Sequence, residues 1–195
     1  MLGGCKSSCE HARFLYTGGG RAQKGRQMYK IGDIVVYGTE GICEVCDITE
    51  KTFGNETIEY YVLIPVEKEG QTVYVPKNNE KVLARMRHIL TEAEADELLE
   101  AEPSKPREWE PVDRERQKIY KEILLCGTSA DILGMTRMLY MHQIEQHEKG
   151  KKLHAIDERF MNEAESLLFG ELAYIYKIPV AEVLPMIISK KGTLK

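Results

Sequence analysis

The spacing of apolar residues changes abruptly along this chain, and that change limits the folds it can adopt. From Lys30 to Pro76 the sequence forms short β-like runs separated by turns that contain Gly54 and Gly70. Beyond residue 112, apolar residues recur at the spacing of a helix surface. A period near two residues followed by one near 3.6 predicts a sheet domain and then a helical domain.

Four runs in the first half are predicted strands. Pro76 ends the last of them, because proline has no N–H to donate to a sheet. Four or five short antiparallel strands within about 50 residues are typical of a small, strongly bent, SH3-like sheet. The predicted strands cover residues 34–37, 42–48, 57–64 and 71–75.

Helix signals begin at Thr91, which with Glu94 forms a capping box that opens a short acidic helix to about Glu100. Apolar stripes then predict a helical bundle, and such stripes usually form the core. The bundle helices are expected at about 113–126, 129–148, 155–177 and 180–189. We therefore expect an α+β protein with a sheet domain at 28–102, a linker at 103–111 and an all-α bundle at 112–195.

Trp109 is the only tryptophan in the 195 residues, and it lies in the proline-rich stretch 103–111. Three prolines there disfavour both a helix and a core strand. A large apolar ring in such a stretch either packs under a neighbouring domain or contacts another molecule. The choice between these two interpretations largely decides the function.

The net charge of −4 is unevenly distributed along the chain. Residues 1–27 carry +4, residues 28–103 carry −9 and residues 104–195 carry +1. The acidic part repels nucleic acid, so only the second half tolerates it as a partner. No apolar run approaches the roughly 20 residues of a membrane span, and we expect no membrane association.

The five cysteines are scattered and odd in number, and no secretory signal precedes them. These features predict reduced thiols in the cytoplasm. Residues 1–27 are glycine-rich, basic and without periodicity. We expect them to be a disordered tail or a non-native extension ahead of Met28, the alternative being a basic arm.

Candidate catalytic and metal sites have simpler explanations. Cys43 and Cys46 form a CxxC motif that, with Cys5, Cys9 and His11 upstream, suggests a zinc site. On a strand, however, residues three apart point to opposite faces and cannot share a metal ion without a turn between them. The histidines, His142 and His147 included, form no ligand or catalytic pattern, and no phosphate-binding loop is present. We therefore expect a protein that is not an enzyme and that binds no metal or cofactor.

Basic residues cluster near Trp109. Arg114, Lys118 and Lys121 share one face of the first bundle helix, a face that could follow a phosphate backbone. Interleaved acidic residues leave open the alternative of a solvated, salt-bridged face. Further basic residues in this region are Lys105, Arg107 and Arg116, and a second cluster contains Lys149, Lys151 and Lys152.

Taken together, the chain resembles the CarD family of bacterial transcription regulators, also called CarD/CdnL. The opening motif alone is also similar to a module of the transcription-repair coupling factor, but the joint pattern of both halves is more specific. The motifs that carry the resemblance are the run 29–37, Gly41, the runs 59–63 and 73–76, Trp109, Arg114 with Arg116, the run 120–127 and the run 164–173.

The resemblance implies a Tudor-like domain that binds the RNA polymerase β subunit and a helical domain that touches promoter DNA. Lys51 and Tyr74 match polymerase-contacting positions, although some relatives have an arginine where Tyr74 stands. Trp109 matches a tryptophan that wedges into the minor groove at the upstream edge of the melted promoter. The groups that match phosphate contacts are Arg114, Arg116, Lys118 and Lys121, with Lys151 and Lys152 as a second basic patch.

We therefore expect a cytoplasmic, monomeric regulator that stabilises the open promoter complex. The rival hypothesis is a protein–protein interaction module whose helical domain is structural and has no role at DNA. In that case Trp109 would join the two domains rather than contact a nucleic acid.

Overall fold

The computed structural model describes residues 28–54, 56–68, 70–101 and 109–192. The extension expected at 1–27 and most of the linker expected at 103–111 lie outside the described residues. The chain forms two compact units, one ending at His88 and the other beginning at Ile89.

The first unit contains a five-stranded antiparallel sheet in the order β4-β3-β2-β1-β5. A helix, α1, precedes the last strand. This sheet followed by helices confirms the predicted α+β class. The elements are β1 Ile34–Tyr37, β2 Gly41–Phe53, β3 Glu56–Pro65, β4 Val73–Pro76, α1 Glu80–Leu83 and β5 Met86–His88.

Alternation of side chains across the strands builds the core of the sheet unit. Tyr61 and Leu63 of β3 point inward and pack with Cys43, Val45 and Val75. A shift of register between Val45 and Asp47 bends β2, as a bulge does. Burial also raises the pKa of the Cys43 thiol to about 12, which makes it an inert core residue.

Two features of the sheet differ from the sequence prediction. The second strand continues to Phe53, well beyond residue 48, because its partner strand β3 extends equally far. The run Met86–His88 pairs with β1 as a fifth strand. The sequence does not predict this strand, because the apolar residues between positions 82 and 90 are irregularly spaced. Such short strands are defined by their partner rather than by their own pattern.

The second unit contains five helices within the described residues, and the four bundle helices begin where the sequence predicts. Thr91 and Thr128 cap α2 and α4 with capping boxes, in which each hydroxyl accepts from a backbone N–H in the first turn. The helices are α2 Glu92–Glu100, α3 Asp113–Cys126, α4 Ser129–Glu148, α5 Ala155–Tyr176 and α6 Val180–Gly192.

The apolar stripes of these helices meet in one core, as predicted. Tyr120 of α3 and Phe160 of α5 are almost fully buried and lie with ring centroids 5.2 Å apart. Leu139, Leu168 and Leu172 fill the space around them. The core thereby joins α3, α4 and α5 into a rigid support for the residues at their surface.

The acidic helix α2 belongs to the helical unit and not to the sheet domain, whose boundary we expected at residue 102. Ala95 and Leu99 are buried in the helical core. The Tyr176 hydroxyl donates to Asp96 Oδ1 at 2.7 Å and fixes α2 against α5. The short, charged sequence of α2 gives no sign of these long-range contacts.

Among the described helices, none is by itself both long and apolar enough to cross a membrane. The segments 155–176 and 180–189, bent by 83°, satisfy the length and composition criteria only as a pair. The first of them is α5, which supplies much of the bundle core.

Candidate nucleic-acid and polymerase interfaces

Trp109 lies just ahead of α3 and packs, partly buried, against the helical core of its own unit. Its indole ring stacks on the imidazole of His142, with centroids 3.5 Å apart and an angle of 17° between the planes. Near-parallel stacking at this distance is a favourable aromatic contact. The ring is therefore fixed to the bundle rather than projecting freely from a linker.

Arg116 is the second group against the ring, with its Cζ atom 4.3 Å from the ring centroid. The residue is 4% exposed, and its Nε donates to Asp157 Oδ1 at 2.9 Å while Nη2 donates to Asp157 Oδ2 at 3.0 Å. This two-point pairing fixes the plane of the guanidinium. Asp157 is itself buried in the first turn of α5, so the ion pair joins α3 to α5.

Two further hydrogen bonds use the remaining donors of Arg116. Nη2 also donates to Asp113 Oδ1 at 2.7 Å, and Nη1 donates to the carbonyl oxygen of Glu110 at 2.9 Å. Burial alone would lower the pKa of Arg116, but the hydrogen bonds with Asp157 and Asp113 outweigh it and raise the pKa. Arg116 thus holds the backbone next to Trp109 as well as the ring.

Arg114 and Arg116, which we expected to act together as a basic pair, lie on different faces of α3. Arg114 is exposed, whereas Arg116 points into the domain, where its guanidinium is occupied by carboxylates. The reason is visible in the register of α3, because Arg116 precedes the buried Tyr120 by four residues and Ile123 by seven. Its position favours a structural role over the phosphate contact implied by the resemblance.

Arg114, Lys118 and Lys121 are all exposed on α3, as their spacing predicts. Lys118 Nζ forms a salt bridge with Glu115 Oε1 at 2.7 Å, and both side chains are more than half exposed. Such surface pairs are weak and exchange readily with other partners. This basic face consists of Arg114, Lys118 and Lys121.

A cleft of about 290 Å³ opens beside Trp109. Lys152, from the exposed segment ahead of α5, lines this cleft together with Trp109 and His142, while Lys151 lies exposed next to it. The structure therefore brings one of the two predicted lysines to the tryptophan. The other residues lining the cleft are Pro111, Asp113, Arg116, Gln146, His154 and Asp157.

The two residues expected to contact polymerase lie together on the sheet unit. Lys51 Nζ sits 3.3 Å from the centroid of the Tyr74 ring, a cation–π contact. Tyr74 is 46% exposed, and Tyr60 packs edge-on against it at 6.5 Å. Because β4 is an edge strand of the sheet, this surface is open to a partner.

His142 and Asp157 are part of the Trp109 site, and sequence reasoning missed both. His142 looked like an ordinary surface histidine, and nothing in the sequence links it to a tryptophan that precedes it by 33 residues. Asp157 lies in the first turn of a predicted helix, where acidic residues are common because they interact favourably with the helix dipole. Only the register of Arg116 on the apolar face of α3 could have indicated a buried carboxylate partner.

Within the described residues, no group of three or more His, Cys, Asp or Glu side chains is arranged to hold a metal ion. Cys43 is fully buried, whereas Cys46 is partly exposed and lies at the register shift of β2. Cys5, Cys9 and His11, which could join them in a zinc site, lie outside the described residues.

Comparison with known protein families supports the polymerase assignment in general terms. Residues 29–90 match the family model described as the CarD-like/TRCF RID domain. The match begins just before β1, ends just after β5 and includes both Lys51 and Tyr74. Domains of this family have a Tudor-like fold, and their presence implies a role in transcription through RNA polymerase. The sheet unit of this chain therefore matches the CarD-like/TRCF RID domain over residues 29–90.

Proposed function

We propose that this protein is a bacterial transcription regulator that binds the β subunit of RNA polymerase and stabilises the open promoter complex. The observation that carries the proposal is the presence, on one chain, of a CarD-like/TRCF RID domain and a helical unit that holds a lone tryptophan beside a cleft that Lys152 lines. The protein acts without catalysis or a cofactor, as a cytoplasmic monomer.

The sheet unit supplies the polymerase contact through the surface around Tyr74. An exposed tyrosine that contacts Lys51 and Tyr60 offers a large ring to a partner. Tyrosines of this kind often dominate the energy of protein interfaces. The −9 charge of residues 28–103 also favours a protein partner over nucleic acid.

The helical unit supplies the DNA contact. Arg114, Lys121, Lys151 and Lys152 are exposed cations that can pair with phosphates and fix the position of the unit on DNA. Lys118 joins them when it exchanges Glu115 for a phosphate. Trp109 then meets the upstream edge of the transcription bubble, where an apolar ring can occupy an unstacked base step.

The effect on transcription follows from a difference between two states. A ring that contacts melted DNA and not closed duplex stabilises only the open complex. Stacking of this kind is worth about 1–3 kcal/mol. That energy shifts the equilibrium between closed and open promoter roughly 5- to 150-fold.

Photo-crosslinking on a polymerase–promoter complex tests the proposal. We expect a photo-reactive amino acid at position 109 to crosslink promoter DNA at the upstream edge of the bubble, and only when polymerase is present. The same amino acid at position 174, where Tyr174 is exposed on α5, is the matched control and should give no crosslink at that edge.

The rival hypothesis, in which the helical unit is structural and has no role at DNA, predicts a different result. Under this hypothesis Trp109 only packs on its own unit and contributes to its stability. If the helical unit is only a scaffold, position 109 will not crosslink DNA under any condition. Polymerase binding without a crosslink would thus favour an interaction module over a regulator that contacts DNA.

A further inference from the structure

The ring of Trp109 is contacted by His142 of α4 and Arg116 of α3, and Asp157 of α5 fixes Arg116 in turn. This arrangement bears on how the ring is used. We propose that Arg116 and His142 are positioning residues that fix the indole of Trp109 in the orientation in which it meets DNA. The inference rests on the proposed function. We call Arg116, His142 and Asp157 the tryptophan cradle.

Arg116 sets the position of Trp109 through both backbone and ring. Its hydrogen bond to the carbonyl oxygen of Glu110, at 2.9 Å, anchors the peptide group between Glu110 and Pro111, one residue beyond Trp109. Its guanidinium carbon lies 4.3 Å from the ring centroid. Asp157 fixes the guanidinium in turn, so a movement of Trp109 would have to disturb a buried ion pair.

His142 sets the plane of the ring. The near-parallel stack at 3.5 Å allows little tilt of the indole without loss of contact. These residues come from three helices, since Arg116 belongs to α3, His142 to α4 and Asp157 to α5. The position of the ring is therefore fixed relative to these three helices. A side chain that is ordered before binding loses less entropy when it binds.

The charges around His142 define its titration. Arg116 and Lys149 disfavour the protonated imidazole, whereas Glu145 and Asp157 favour it. Burial is the largest influence, and the pKa of His142 lies below its ordinary value of 6.5. Other charged or titratable groups around the same cleft are Asp113, Lys152 and His154.

Because Trp109 is the only tryptophan, its fluorescence reports on the cradle directly. Protonated imidazole quenches a neighbouring indole more strongly than neutral imidazole. We therefore expect the fluorescence of the full-length protein to fall as pH decreases through the pKa of His142. The fall should vanish in His142→Phe, which keeps a ring but no proton, and persist in His147→Ala, an exposed histidine on the same helix.

Two variants separate positioning from simple stability. His142→Ala, measured where circular dichroism shows it folded, should make Trp109 more accessible to acrylamide and shorten the open-complex lifetime about 2- to 10-fold. His142→Phe should restore most of both properties because stacking is retained. Restoration by Phe distinguishes a positioning role from a role for the imidazole proton.

The possible results separate the inference from the proposed function. A lifetime that falls in Trp109→Ala but not in His142→Ala would overturn the positioning role alone. A pH-dependent fluorescence that survives in His142→Phe would overturn the stack itself. A lifetime that is unchanged in Trp109→Ala would contradict the proposed function, and the fluorescence titration would still decide whether the cradle holds the ring.

Discussion

Each unit of the protein presents an aromatic ring against a cation, but the two pairs are supported differently. In the sheet unit, Lys51 lies over the ring of an exposed tyrosine, Tyr74, on an edge strand. In the helical unit, Arg116 contacts Trp109 from inside the domain and is itself anchored by a buried carboxylate. One pair can adapt to a partner surface, whereas the other is preorganised by the core.

This difference suggests a division of labour. A protein–protein contact tolerates rearrangement of surface side chains on binding. A ring that must meet one base step benefits from a fixed orientation, since binding then costs less conformational entropy. The comparison predicts that substitutions in the cradle disturb folding as well as function, whereas those at Tyr74 disturb binding alone.

The largest effect is expected for Arg116→Ala. The substitution leaves Asp157 buried without its ion-pair partner, and such a loss costs about 3–5 kcal/mol. Chemical denaturation should show the helical unit destabilised by this amount. Arg114→Ala, an exposed arginine two residues earlier, is the control and should change stability by less than about 0.5 kcal/mol. Equal effects of both substitutions would contradict the buried role of Arg116.

The next largest effect is expected on polymerase binding, at the pair formed by Lys51 and Tyr74. Tyr74→Ala should weaken binding to a β-subunit fragment about 10- to 30-fold, the loss typical of a central interface tyrosine. It should leave the melting temperature nearly unchanged, because the ring is 46% exposed. Thr72→Ala, an exposed neighbour, is the control in calorimetric titration. A large fall in the melting temperature of Tyr74→Ala with an unchanged affinity for the β-subunit fragment would contradict the binding role of Tyr74.

A smaller effect is expected on the basic face of α3. If Arg114 and Lys121 contact phosphates, each alanine substitution should reduce the salt dependence of promoter-complex stability by about one released ion. Lys118→Ala should change it less, since Glu115 already pairs with that lysine. Dissociation rates measured over a range of salt concentrations check this order. A uniform salt dependence in all three variants would argue against phosphate contacts.

The smallest effect is a pH dependence of stability. The pKa of His142 is lower in the folded protein than its ordinary value of 6.5, so the unfolded chain binds more protons near that pH. The free energy of unfolding attributable to His142 should therefore decrease as pH falls below about 6.5. His142→Phe should remove this component, as judged by urea denaturation at several pH values. If the free energy of unfolding of His142→Phe depends on pH as in the wild type, a group other than His142 causes that dependence.

Much of the fold could be predicted because local signals agree with the tertiary structure. The bounds of α3 and α4 coincide with the predicted ones, since apolar periodicity and the Thr128 cap specify them locally. The short strand β5 and the membership of α2 in the helical unit could not be predicted. Both depend on partners far along the chain, such as β1 and Asp96's partner Tyr176.

The candidate sites, like the fold, contain features that could be predicted from the sequence and features that could not. Lys51 and Tyr74 come together because β2 and β4 flank β3, which their spacing in a meander already suggests. Trp109 could be selected from its chemistry and its proline-rich surroundings, but its contact with His142 could not. Arg116 shows that charge alone misleads, because its position on the apolar face of α3 outweighs its resemblance to a phosphate-binding residue.

The lifetime of polymerase–promoter complexes tests the central claim most directly. Full-length protein should lengthen the lifetime of the open complex, and Trp109→Ala should abolish most of that gain at concentrations where polymerase remains saturated. Binding to the β fragment, measured in parallel, should be unchanged by the substitution. A Trp109→Ala protein that is folded, binds polymerase and lengthens the lifetime as much as the wild type would contradict a role for Trp109 at the bubble.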